Sequence, residues 1–167
     1  MDNVTACKKF YEFIRARTQG VIATAGPDGK PEAALMNIAV TPGLDIIFEI
    51  TDATRKFANL KANSRVSFVI GWDGSETLQY DGVADEPEGR AFDETRGLFL
   101  AAFPQKTSHQ NWPGNHYFRV RPLWVRFSNY HLPRTVEEFR FGTEEESRSR
   151  RNWWQRLVRA PKREQHN

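Results

Sequence analysis

The chain has 167 residues, 39% hydrophobic and 27% charged, which reads as one soluble globular domain able to bury a core rather than a disordered chain. Its single cysteine, Cys7, excludes an intrachain disulfide and a multi-cysteine zinc site. The net charge of +3 is unevenly spread: seven basic residues and one acid lie from Ser147 onward, leaving 17 basic and 20 acidic residues before it. The body is therefore acidic, which argues against a nucleic-acid interface spread over the whole domain.

Residues 2–17 are expected to form a helix, capped by Asp2 or Asn3, with Cys7, Phe10, Tyr11 and Ile14 recurring at spacings of three and four. A strand at 20–25 follows, then the turn Gly26-Pro27-Asp28-Gly29-Lys30, in which Pro27 presets φ and Gly29 is free to take a positive one. The chain returns as a strand over 32–40, turns at Thr41-Pro42-Gly43, and runs out again through Ile46-Ile47-Phe48-Glu49-Ile50. A helix is expected over 53–62, broken by Asn63-Ser64. Val66, Phe68 and Ile70 then share one face of a strand at 65–70. Trp72-Asp73-Gly74-Ser75 makes a hairpin turn into a strand at 77–86, and a helix over 88–103 carries Phe92, Phe99 and Phe103. The polar stretch 104–115 reads as a long loop. Two last strands, 117–121 and 123–129, are separated by Pro122. The order of elements, with short hairpins and no repeating βα unit, predicts a mainly β (α+β) domain: a small antiparallel barrel with flanking helices.

A division at 142/143 separates this barrel from a basic amphipathic tail over 143–167. Thr143 and Glu146 form a capping box there, and Trp153, Trp154, Leu157 and Val158 make an apolar stripe. Such a helix packs on its own domain or a second copy, or lies on an anionic membrane; the stripe favours packing. No apolar run has membrane-spanning length and no signal-peptide pattern opens the chain, so a cytoplasmic location is expected.

The segment Thr51-Asp52-Ala53-Thr54-Arg55-Lys56 places hydroxyls and two adjacent cations where a strand gives way to a helix N-terminus. Unpaired backbone N–H groups and the positive end of the helix dipole suit a phosphate at such a place. The plainer alternative is that Asp52 or Thr54 caps the helix and the cations are solvated. His109, His116, His131 and His166 show no metal-ligand spacing, so no metal is expected, although His109 and His116 could line a substrate mouth. Neither a nucleophile turn nor a glycine-rich phosphate loop is present, and nothing nominates a catalytic acid or base.

Val21-Ile22-Ala23-Thr24 followed by Asp28-Gly29-Lys30-Pro31, then Ile47 to Thr51, Thr54-Arg55-Lys56, Asn63-Ser64-Arg65-Val66, Gly71-Trp72 and Gly82-Val83-Ala84, resemble in order and spacing the pyridoxamine 5′-phosphate oxidase-like family of FMN-binding split β-barrels. The resemblance implies a split barrel of about six to seven strands, running from the first helix to about Asn129. It also implies a homodimer with FMN at the interface. Thr51, Thr54, Arg55 and Lys56 would hold the phosphate. Ile50 and the backbone of Leu35, Met36 and Asn37 would lie along the isoalloxazine, and Thr77 would stand where the family often has a glutamine, with Gln79 two residues on. Two departures argue against an authentic oxidase of vitamin B6 phosphates. Ala34 and Ala39 replace the Arg and Lys of the second-strand motif, and the C-terminal Arg-x-His signature is missing. The "general stress protein" and oxidase-related branches fit better, acting as a flavin-dependent oxidoreductase on a small-molecule substrate or as a flavin carrier.

Two alternatives stand beside this. A deazaflavin or haem could occupy the same groove. A cofactor-free small-barrel module could instead bind single-stranded nucleic acid through Arg119, Arg121, Trp124 and Arg126.

Overall fold

In the computed structural model the described residues are 3–109 and 111–142. They contain helices α1 (Asn3–Arg17), α2 (Arg55–Ala62) and α3 (Gly89–Ala102). The strands are β1 (Gln19–Ala25), β2 (Pro31–Asn37), β3 (Ala39–Val40), β4 (Ile46–Thr51), β5 (Arg65–Ile70), β6 (Glu76–Asp85), β7 (Asn115–Asn129) and β8 (Thr135–Arg140). The tail over 143–167 lies outside the described residues.

All eight strands form one antiparallel sheet in the order β2-β1-β5-β6-β7-β4-β3, with β8 also on β7. The sheet curls into the expected split barrel. The split arises on β7: one edge pairs with β6, while the other serves β4 through its first half and β8 through its second.

The eight strands exceed the six to seven expected, for two local reasons. The run 32–40 divides at Ile38, whose N–H leaves the β1 ladder and donates to Thr18 O at 2.9 Å. Thr135–Arg140, unassigned by pattern, pairs with β7 in full register. In the opposite sense, the two strands expected on either side of Pro122 are one. Pro122 sits opposite Gly82, where the β6–β7 register shifts, so its missing N–H removes little from the ladder. Gly82 is required there by close approach: an added Cβ would lie 2.5 Å from Arg121 O and 2.6 Å from Val120 Cγ1.

Alternation along the strands puts Ile22, Phe48, Phe68, Tyr80, Phe118, Val120, Val125 and Phe127 inside the barrel, and Phe10 and Ile14 of α1 pack against this core. A second core lies on the other face of β4 and β7, where Ile47 and Tyr117 meet Phe99 of α3 and Phe103, the residue that caps its C-terminus. β4 is therefore covered on both faces, which accounts for its nearly continuous apolar run.

Candidate functional site

Beyond β4 the chain turns tightly into α2. Asp52 N donates to Gly114 O at 2.9 Å and Thr54 N to Thr51 O at 3.1 Å. Thr54 has extended dihedrals (φ −91°, ψ 147°); its hydroxyl donates to Thr51 O at 2.8 Å and accepts from Phe57 N at 3.4 Å. Thr54 is the N-cap, so α2 begins two residues later than the sequence pattern suggests. The N–H groups of Arg55 and Lys56 stand at the head of the helix, where no intrahelical acceptor exists and the dipole is positive.

This helix start faces the β1–β2 hairpin across a pocket of about 230 Å³, lined by Ile22, Thr24, Glu32, Ala33, Ala34, Thr54, Arg55 and Lys56. Thr24 and Glu32 are cross-strand partners, as are Ile22 and Ala34. Arg55 Nη1 lies 3.0 Å from Glu32 Oε1, with the arginine side chain 79% exposed and the glutamate 17%. Asn59, one turn into α2 and only 7% exposed, donates to Glu32 Oε2 at 3.0 Å and to Thr24 Oγ1 at 3.1 Å. Among the described residues Lys56 has no ion-pair partner.

The structure thus brings together Thr54, Arg55 and Lys56, with Thr51 adjacent at the end of β4. The other expected site residues stand elsewhere. The Ile50 side chain is 4% exposed within the barrel core. Leu35 points outward and is 55% exposed, Met36 points into the core, and Asn37 accepts from Gln19 Nε2 at 3.4 Å. Thr77 is far from the pocket within one chain: Leu78 pairs with Ile70, one residue beyond Val69, the partner of Val21. That sets Thr77 at the Gly20 end of β1, whereas Thr24 at the other end lines the pocket.

His116 is tied up at the other flank of α2. Its Nδ1 lies 2.5 Å from Glu86 Oε1, Lys61 Nζ lies 3.2 Å from Glu86 Oε2, and the imidazole rests against Phe57. Burial pushes the Glu86 carboxyl up, but bonds and charge from His116 and Lys61 outweigh it and hold the group below its ordinary value. Part of the expected long loop is a 3-10 turn, Pro104–His109, whose Lys106 pairs with Glu49 of β4. On β7, Arg119 and Arg121 both reach Asp85 (2.9 and 3.6 Å) and Arg126 reaches Glu138 at 3.6 Å, so these cations are balanced by acids within the chain. Among the described residues no three His, Cys, Asp or Glu side chains could together hold a metal ion, and no helix is long and apolar enough to cross a membrane.

The site and barrel agree with the comparison that decides the family: residues 7–143 match the family model for pyridoxamine 5′-phosphate oxidase. The chain belongs to the pyridoxamine 5′-phosphate oxidase family. No curated protein matches it. Among solved structures of this fold, the haem-binding protein of Mycobacterium smegmatis superposes with a TM-score of 0.70 at 20% identity, over 80% of this chain and 57% of that one. The chain thus spans little more than half the length of that protein. The haem storage protein HutZ of Vibrio cholerae matches with a TM-score of 0.62 at 19% identity, over 69% of this chain and 88% of that one. A Clostridium acetobutylicum protein related to general stress protein 26 matches with a TM-score of 0.63 at 15% identity, over 87% and 99%. At these identities the likenesses speak for the pyridoxamine 5′-phosphate oxidase fold and not for a ligand.

Sequence reasoning missed Glu32 in the pocket lining and Asn59, which holds it from α2. The signal for Glu32 was present: a hairpin turn at 26–30 pairs it with Thr24, and alternation puts both on the face of Ile22. Asn59 carried none, because a polar residue within an amphipathic helix reads as solvent-facing until the neighbouring strand is placed.

Proposed function

We propose that this chain is an FMN-binding oxidoreductase-like protein that works as a homodimer on a small-molecule substrate and is not an oxidase of vitamin B6 phosphates. The observation that carries the reading is the head of α2. Two cations and a capping hydroxyl line one pocket at the N-terminus of a helix, a donor set suited to a phosphate terminus. Bound FMN would supply the redox chemistry; the chain's residues would bind it, orient it and limit water around it. The dimer is supported by a row of outward apolar residues in direct register, Leu35, Val21 and Val69 on β2, β1 and β5, with Leu35 55% and Val69 40% exposed. Thr77 and Gln79 lie on the outward face of the same sheet, so a second copy seated there could bring them to a flavin that one chain alone does not.

Haem is the second reading, favoured by what two of the structural neighbours are named for. Against it, the residues lining the pocket offer no imidazole, thiol or thioether as an axial ligand.

The visible absorption spectrum of the freshly purified protein, with mass identification of any released chromophore, separates flavin from haem. The phosphate assignment is tested by changing Arg55 and Lys56 together to Ala. Each charge-assisted bond contributes about 1.5–3 kcal/mol, so FMN affinity should fall by several kcal/mol. An unchanged dissociation constant overturns the assignment.

A further inference from the structure

We propose that Glu32 is a specificity-determining residue of the α2 pocket, a fixed internal counter-anion that lowers its affinity for a dianionic phosphate. The inference rests on the reading that this pocket receives a phosphate. It starts from a charge count: the lining carries Arg55 and Lys56 against Glu32, a net charge of +1 facing a group of nearly −2 at neutral pH. The carboxylate is not a distant neighbour. It lines the pocket, and its Oε1 holds Arg55 at 3.0 Å, engaging the guanidinium that a phosphate would need.

Nor can Glu32 swing away freely. Its Oε2 accepts from Asn59, whose amide is buried and spends both N–H groups, one on Glu32 and one on Thr24. Moving the carboxylate would leave a buried donor unpaired, which is costly. An incoming phosphate therefore meets a partly exposed, weakly screened like charge at close range and must compete for Arg55. Removing the charge while keeping the shape and the Asn59 bond should release Arg55 to the ligand. A riboflavin, which has the same ring system and no phosphate, should be indifferent to that change.

The experiment compares FMN and riboflavin dissociation constants for the wild-type chain, Glu32→Gln, Arg55→Ala and the double variant, with thermal unfolding to verify folding. Glu32→Gln should tighten FMN by about tenfold or more, leave riboflavin unchanged, and keep only part of that gain in the Arg55→Ala background, where relief of repulsion remains and release of Arg55 does not. If Glu32→Gln weakens FMN or leaves it unaltered, Glu32 instead positions Arg55 or is inert, and the proposal falls while the flavin reading stands. If no variant binds FMN, inorganic phosphate is titrated while following the backbone amides of Arg55 and Lys56. Tighter phosphate binding by Glu32→Gln then keeps the proposal and removes the flavin reading. Equal or weaker binding removes the proposal as well.

Discussion

His116 Nδ1 approaches Glu86 Oε1 to 2.5 Å, joining the start of β7 to the chain just beyond β6 beneath α2. Lys61 of α2 holds the second carboxylate oxygen at 3.2 Å, so one acid ties three elements together. Because the folded chain holds the Glu86 carboxyl below its ordinary value of 4.5, the folded state binds fewer protons there than the unfolded state. The stabilisation is present above that value and is lost as pH falls through the lower folded one. Glu86→Gln should remove about 1–3 kcal/mol at neutral pH and much less in acid. Urea unfolding of both proteins across the acid range measures this. Parallel stability–pH curves would show that Glu86 contributes no such linkage.

The Tyr80 hydroxyl sits wholly inside the barrel, 2.9 Å from Val120 O and 3.0 Å from Leu44 O. Its single proton is shared between two carbonyls, one on β7 and one in the turn before β4. Tyr80→Phe leaves both acceptors in a dry environment and should cost about 1–3 kcal/mol of stability without changing the fold. Denaturant unfolding with an unchanged midpoint would show that the carbonyls find other partners.

Gly82 and Gly29 should respond differently to alanine. At Gly82 the new methyl would meet the Arg121 carbonyl at 2.5 Å and Tyr80 Cε1 at 2.8 Å, so backbone must move; about 1–3 kcal/mol should be lost. At Gly29 no atom lies within 4 Å and only the positive φ of 79° resists, a cost of about 1–2 kcal/mol. The distinguishing sign is spectroscopic: Gly82→Ala should perturb amide signals along β6 and β7, and Gly29→Ala only its own turn. A perturbation confined to residue 82 would contradict the packing argument.

The proposed dimer is addressed by Leu35→Glu combined with Val69→Glu. Both side chains are exposed in the isolated chain, so its folding should be little affected. Charges placed in an apolar interface should instead shift the dimer to monomer in sedimentation velocity, because buried unpaired carboxylates are costly. A wild-type protein that sediments as a monomer, or a double variant that remains dimeric, would rule out this face.

Much of the barrel was legible from local chemistry. Val66, Phe68 and Ile70 alternate because one face of β5 is buried, and Pro27 with Gly29 closes the first hairpin where expected. Thr54-Arg55-Lys56 was readable for the same reason, since an N-cap and the charges after it are contiguous in sequence. β8 was not legible: its outward Val136, Glu138 and Arg140 are exposed at the sheet edge, and no apolar alternation marks it. The join of two expected strands into β7 was hidden because Pro122 reads as a break until Gly82 is seen opposite it.

The sequence by itself determined the order of helices and strands, the tight turns and the cationic helix start, because each depends on residues within a turn or two of one another. Only the tertiary structure decided that Glu32, 23 residues before Arg55, neutralises part of that start, and that Arg119, Arg121 and Arg126 face acids rather than solvent alone. It likewise separated Thr77 from the pocket. These are relations between strands far apart in the chain, set by how the sheet curls and registers, and no local periodicity encodes them.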